Sequence, residues 1–314
     1  MLLEIKDLRV RYSTERGIVK AIDGLYFRME KGETVGLIGE SGSGKSSLGF
    51  SILRLLPPNG KIISGEIIFK GKDLLKLSEK EMLKIRGKSI SMVFQDPMTS
   101  LNPLMKIGDH LIETILIHEK MSKEEAKEKA ISLLEKVGIP PDRFNYYPHQ
   151  FSGGMRQRIM IALALALDPD LVIADEPVTA LDVITQAKII DLLKDLKRQY
   201  NMGLIFITHD ISVVAEIADK IALMYAGNIV EFADAASIFE EPLHPYTKML
   251  LEAIPNIELE EQKLKYIPGT PPDLVSPPSG CRFHPRCPYA KEICKKEEPK
   301  LKNLNGRMIK CHRY

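Results

Sequence analysis

Three clusters of residues in this chain could do chemistry together. The first is Gly39-Glu-Ser-Gly-Ser-Gly-Lys-Ser46, which fits the phosphate-loop pattern G-x-x-x-x-G-K-[ST]. Glycines let backbone N–H groups approach an anion closely, so Gly39, Ser41, Gly42, Gly44, Lys45, Ser46 and Ser47 are candidates to surround the phosphates of a nucleoside triphosphate. Lys45 would neutralise the β- and γ-phosphates and the Ser46 hydroxyl would ligate Mg²⁺. A flexible glycine turn matching by accident is the alternative, but roughly 0.01 chance matches are expected per chain of this length. The second cluster is Asp175-Glu176: Asp175 suits a hard cation, and Glu176, one residue on, is placed to polarise an attacking water. The third is Phe151-Ser-Gly-Gly-Met-Arg-Gln-Arg158, where Ser152 reads as an N-cap, and Gly153 and Gly154 leave the first helical N–H groups open to an anion.

The elements that must position these residues are legible from their periodicity. Val35–Ile38, Leu171–Ala174 and Ile205–Thr208 are short apolar runs of the kind that form buried strands, and each delivers a polar cluster at its carboxyl end, where open α/β sheets bind ligands. Helical spacing is expected over Ser47–Leu56, stopped by Pro57-Pro58, and over Ile159–Leu167. Ser122-Lys-Glu-Glu125 is a capping box opening a helix through Ala126, Ala130, Leu133 and Leu134, with Gly138 as its stop. Alternating apolar strands and helices predict an α/β domain with parallel strands.

Composition bounds the rest. With 314 residues, 44% hydrophobic and 27% charged, the chain has the makings of a large core, not of a disordered protein. Lys and Arg total 44 against 42 Asp and Glu, a net charge of +2, so no domain-wide basic field points to nucleic acid. The longest apolar run, Ile159–Leu167, stops at Asp168, short of a bilayer span, and the first residues mix acids and bases unlike a signal peptide. A soluble intracellular protein is expected, reaching any membrane through partners. Nine of the 20 prolines and all four cysteines lie from Pro255 to Tyr314, which predicts a boundary near residue 250: a main domain over 1–250 and a Pro-rich extension over 251–314. Pro268–Gly280 reads as an extended connector.

Taken in order, the motifs resemble those of ABC-type ATPases. Phe151–Met155 is similar to the family's signature, usually Leu-Ser-Gly-Gly-Gln, with Phe151 and Met155 departing at the outer positions. Gln95 resembles the glutamine that senses Mg²⁺ and the attacking water, Ala180-Leu-Asp182 the loop that communicates across a dimer, and His209 the switch histidine at the γ-phosphate. Tyr12 resembles the aromatic that stacks on adenine, so ATP is an expectation of the resemblance. The implied fold is the P-loop core of ABC ATPases with antiparallel β and helical subdomains, the helical one over about 96–160, plus a small irregular Cys-containing C-terminal domain. Gln95–Pro103, Glu176–Val183, His244-Pro-Tyr-Thr-Lys248 and the cysteine tail resemble the dipeptide and oligopeptide importer branch.

That resemblance implies a peripheral subunit at the cytoplasmic face of the cell membrane, energising peptide uptake. Its implied partners are two transmembrane permeases, a second ABC ATPase chain (a heterodimer preferred over a homodimer) and, indirectly, an extracytoplasmic substrate-binding protein, with no nucleic acid. The alternatives are the same engine importing oligosaccharides or nickel, a non-transport ABC ATPase acting on nucleic acid, and a redox enzyme built on the cysteines. Cys281, Cys287, Cys294 and Cys311 are separated by five, six and sixteen residues, which matches neither tight zinc knuckles nor ferredoxin spacing. Four thiolates suit Zn²⁺ or an iron–sulfur cluster, with His284 and His312 as competing zinc ligands, and free or redox-paired thiols remain a third reading. The importer resemblance implies a [4Fe–4S] cluster.

Overall fold

The computed structural model describes residues 1–253 and 266–314. In chain order its strands are β1 (Leu3–Thr14), β2 (Gly17–Met29), β3 (Thr34–Ile38), β4 (Gly60–Phe69), β5 (Lys72–Asp73) and β6 (Ile90–Val93), followed by β7 (Leu171–Asp175), β8 (Gly203–Thr208), β9 (Lys220–Tyr225), β10 (Asn228–Asp234), β11 (Lys302–Leu304) and β12 (Arg307–Ile309). Contacts group the chain into two compact units, one of Met1–Glu30, Thr34–Leu75 and Thr208–Tyr314, the other of Lys31–Glu33 and Lys76–Ile207. In this grouping the C-terminal extension falls in the same unit as the phosphate loop.

The first unit holds an antiparallel sheet in the order β2-β1-β4-β5 and a run β11-β12-β10-β9-β3, in which only β3 and β9 pair in parallel. β1 buries Leu3 and Ile5 and then Leu8 and Val10; the period of two changes parity at a bulge between Ile5 and Leu8, where Asp7 takes a positive φ of 44°. β3 is buried at all five positions, as expected of a strand covered on both sides. The helix after it, Lys45–Ile52, ends before the expected Leu56. Arg54 takes a left-handed φ of 53°, and the bonds Arg54 N–H to Ser51 O (3.0 Å) and Leu55 N–H to Phe50 O (2.8 Å) close the helix before the prolines are reached.

The second unit is built on β6, β7 and β8, parallel and buried throughout, with β7 between the other two; the last residue of β8, Thr208, falls in the first unit. Helices Ile107–His118, Lys123–Lys136 and Gly153–Leu165 supply its helical part. Lys123–Lys136 opens on the expected Ser122/Glu125 capping box. It closes with Gly138 N–H to Glu135 O (2.9 Å) and Ile139 N–H to Leu134 O (2.8 Å), with Ala126, Ala130, Leu133 and Leu134 buried. Among the described residues, no helix is long and apolar enough to cross a membrane.

The extension carries a regular element that its composition did not announce. β11 and β12 form a hairpin about Asn305-Gly306, both at positive φ (52° and 89°), as a two-residue type I′ turn requires, and β12 pairs with β10. Glu231 on β10, with no solvent exposure, accepts from the backbone N–H groups of Leu243 (2.9 Å) and His244 (2.8 Å) and from Arg307 (3.0 Å). That carboxylate binds strand, hairpin and the approach to helix Pro245–Glu252.

Candidate nucleotide site

The phosphate loop follows β3 as expected, and two of its glycines are dictated by space. A Cβ at Gly39 would lie 2.1 Å from the Met224 carbonyl oxygen, and one at Gly44, whose φ is +105°, 2.4 Å from that of Ala21. Lys45 is 6% exposed, and its ammonium donates to the carbonyls of Gly39 (2.7 Å) and Glu40 (3.2 Å), so it lies along the loop. Gly44 is the N-cap of helix Lys45–Ile52 and, having no side chain, offers no side-chain cap to a first turn that follows directly on the loop. The buried Ser43 hydroxyl has no hydrogen-bond partner among the described residues. Tyr12 on β1 donates to Ser47 Oγ at 3.1 Å, which brings the aromatic candidate onto the same helix start. His209 is exposed just past β8, followed by Asp210, which caps helix Ile211–Ile217. All these residues lie in the first unit.

The second unit gathers another set. Asp175 ends β7 at 2% exposure. Glu176 follows in a left-handed conformation (φ 46°), which turns its carboxylate toward Gln95: Gln95 Nε2 donates to Glu176 Oε2 at 3.2 Å, and Thr179 Oγ1 donates to the same oxygen at 2.9 Å. The sequence placed Gln95 and Glu176 separately, and the fold joins them. Thr179 was not foreseen; Ala180, at φ 63°, ends the turn that folds it back.

Ser152 caps helix Gly153–Leu165, accepting from Met155 N–H at 3.4 Å. Asp182 caps helix Val183–Tyr200 through Thr185 N–H (2.9 Å) and Thr185 Oγ1 (2.7 Å), and those two bonds lower its pKa from the ordinary carboxylate value. The two motifs touch: a Cβ at Gly154 would come within 2.5 Å of Thr185 Cγ2. Gly154 is therefore small because the Asp182-capped helix packs against it.

The four cysteines line one small cavity, together with His284, His312 and His244. Among the described residues, however, no group of three or more His, Cys, Asp or Glu is arranged to hold a metal ion, so the expected ligand set Cys281, Cys287, Cys294 and Cys311 is not formed as a single-ion site. His284 Nδ1 bonds the Cys281 carbonyl (3.0 Å) and His312 Nε2 that of Glu297 (2.8 Å); a carbonyl only accepts, so each ring commits one nitrogen as a donor. Burial pushes the Cys281 thiol up to about 11, and also raises Cys287 and Cys311.

Comparison with known proteins shows the family. The family described as ABC transporter matches residues 22–179, and the one described as oligopeptide/dipeptide transporter, C-terminal region, matches residues 230–294. The chain is 55% identical over 304 residues to the oligopeptide transport ATP-binding protein OppD of Bacillus subtilis, covering 96% of this chain and 85% of that protein. It is 51% identical over 301 residues to the dipeptide transport ATP-binding protein DppD of the same organism, covering 95% and 90%. Among solved structures it resembles a dimeric ATP-binding cassette in a post-hydrolysis state with ADP and Pi, at TM-score 0.67 and 31% identity over 74% of this chain and 98% of that one. Two family matches, over residues 22–179 and 230–294, and identity of about half over nearly the full chain to transport ATP-binding proteins show the family: the chain belongs to the ABC transporter family of ATPases, in the branch that carries the oligopeptide/dipeptide transporter C-terminal region.

Proposed function

We propose that this ATPase energises the import of dipeptides or oligopeptides. It works as a peripheral subunit at the cytoplasmic face of the membrane, beside two transmembrane permeases and a second, related ATPase chain, with a substrate-binding protein delivering the cargo. The observation that carries this reading is similarity at 55% and 51% identity, over nearly the full chain, to proteins named for oligopeptide and dipeptide transport. The C-terminal match at residues 230–294 supports the peptide branch in particular.

In this reading the loop amides and Lys45 bind the β- and γ-phosphates, and Tyr12 stacks on adenine. By the family resemblance Ser46, Gln95 and Asp175, each with an oxygen to offer a hard divalent cation, would hold Mg²⁺, which supplies charge neutralisation at the phosphates. Glu176 is the general base: Gln95 and Thr179 fix one of its oxygens, which aims the carboxylate at the water. His209 orients that water at the γ-phosphate. Ser152, Gly153 and Gly154 present a helix N-terminus to the γ-phosphate held by the opposite chain, and Asp182, packed beside them through Thr185, communicates across the pair. Co-expression with its two permeases and partner ATPase, reconstitution in vesicles, and peptide uptake driven by enclosed ATP test this function. Uptake that requires ATP and the peptide-binding protein is expected; a complex that hydrolyses ATP yet moves no peptide contradicts it.

For the cysteines we propose a [4Fe–4S] cluster, with Zn²⁺ as the alternative. Its support is that all four thiols line one cavity, together with His284 and His312, a set of donors that suits either group. With no electron-transfer step in ATP hydrolysis, its contribution would be to hold the extension together. Iron and sulfide in near-equal amounts after anaerobic purification are expected; a colourless, iron-free chain contradicts the cluster.

A further inference from the structure

Glu40 is the second residue of the phosphate loop, at a position the motif leaves unspecified, yet it is held at three points. Its backbone N–H donates to the Tyr246 hydroxyl at 3.1 Å. Its carbonyl accepts from Lys45 Nζ at 3.2 Å. Its carboxylate receives a two-pronged grip from Arg286, Nη1 to Oε2 at 2.7 Å and Nη2 to Oε1 at 3.0 Å. Of these holders Tyr246 and Arg286 come from far along the chain, in the matched C-terminal region, and all of these residues share one compact unit.

Arg286 is built for this contact. Its side chain is 5% exposed, and its remaining donors reach Pro268 O (2.9 Å), Ile267 O (3.3 Å) and the Tyr225 hydroxyl (3.4 Å), while the guanidinium lies over the Tyr225 ring. All five N–H directions of the guanidinium are therefore used, a geometry that lysine cannot reproduce. The backbone of Arg286 ends the short turn His284–Arg286, and the next residue is Cys287, which lines the four-cysteine cavity.

We propose that Arg286 is a positioning residue for the phosphate loop, acting through Glu40, and that it couples nucleotide affinity to the cysteine-lined segment that carries it. A glycine-rich loop with Gly42 at φ +76° and Gly44 at φ +105° has conformations to lose when it closes on phosphates. Fixing Glu40 removes part of that loss in advance, so a chain without the grip populates the competent loop less and its apparent affinity falls by that fraction. A displacement at Cys287 reaches Arg286 across one peptide bond and reaches Lys45 through Glu40. By reciprocity, nucleotide on the loop restrains the cysteine segment.

The proposal rests on Gly39–Ser46 being the nucleotide loop, which Lys45→Ala tests separately by abolishing ATP binding. Against that reference, equilibrium binding of a fluorescent ATP analogue to the full chain is measured for Arg286→Lys, Arg286→Ala, Glu40→Gln and the double variant Glu40→Gln/Arg286→Ala. Each single change is expected to weaken binding roughly tenfold, and the double variant to be no worse than Arg286→Ala, because the two residues form one interaction. In steady-state hydrolysis the KM for ATP should rise with kcat nearly unchanged. Backbone hydrogen–deuterium exchange over the Cys281–Cys294 segment of the full chain, read by mass spectrometry, should slow when the ATP analogue binds to the wild type and not to Glu40→Gln. Unchanged affinity in Glu40→Gln, additive losses in the double variant, or wild-type exchange at Cys281–Cys294 indifferent to nucleotide would each overturn the proposal. A fall in melting temperature with KM unaltered would do the same, since it marks a merely structural ion pair.

Discussion

Glu176 combines a left-handed backbone (φ 46°) with a carboxylate oxygen that accepts from both Gln95 and Thr179. A non-glycine residue in that region stores strain, and such strain concentrates where a side chain must be aimed. Glu176→Gln keeps the shape and removes the base, so phosphate release should fall by about 10²–10⁴-fold while equilibrium ATP binding persists; near-normal turnover would remove Glu176 from the general-base role. Thr179→Val deletes one of the two bonds that aim the carboxylate, and should lower kcat several-fold with KM for ATP unchanged. Gly154→Ala places a methyl against Thr185, a stiff β-branched neighbour, and should cost roughly 1 kcal/mol of stability as well as hydrolysis rate. At this scale the acids were readable because Asp175-Glu176 ends an apolar run. Thr179 was not, since its place depends on a turn at Ala180 that no periodicity encodes.

Elements were read best where capping chemistry announced them. The box Ser122/Glu125 and the Gly138 stop bracket helix Lys123–Lys136 in sequence and structure alike. Helix Lys45–Ile52 was read too long because its stop is Arg54, which takes at modest cost the left-handed position usually given to glycine. The β11–β12 hairpin carries an Asn-Gly signal, but its strands are three residues each, too short for an alternating pattern to register. Its hold on β10 should depend on Glu231. Glu231→Gln leaves Arg307 short of its buried counter-charge, and is expected to destabilise the chain by roughly 2–4 kcal/mol in urea unfolding. Asp23 performs a similar service nearer the N-terminus. Burial alone would raise its pKa, but the hydrogen bond from Arg11 and the charges of Arg282, Arg11 and Arg9 outweigh that and hold it below the ordinary value. Its contribution to stability is therefore fully present above the unfolded carboxylate pKa of about 3.9, and is lost as pH falls through the lowered folded value. Unfolding measured from pH 6 down to pH 3 should show a shallower acid dependence in Asp23→Asn than in the wild type.

At the scale of the molecule, the motif order was enough to place the chain among the ABC ATPases and in its peptide branch. The grouping of contacts was not legible, because it follows from long-range pairing: the extension at Pro268–Tyr314 joins the unit of the phosphate loop, whereas Gln95, Asp175, Glu176 and Ser152 lie in the other. One phosphate loop and one Ser-Gly-Gly helix start occur in the chain, and in the proposed mechanism each is completed by a second ATPase. The most direct measurement of that claim is the mass, by light scattering, of the Glu176→Gln chain mixed with its cognate ATPase, with and without MgATP. A composite site predicts that ATP drives the single chains into a particle of two chains and that ADP does not. A mass that stays at one chain while nucleotide binding is demonstrably intact would contradict it.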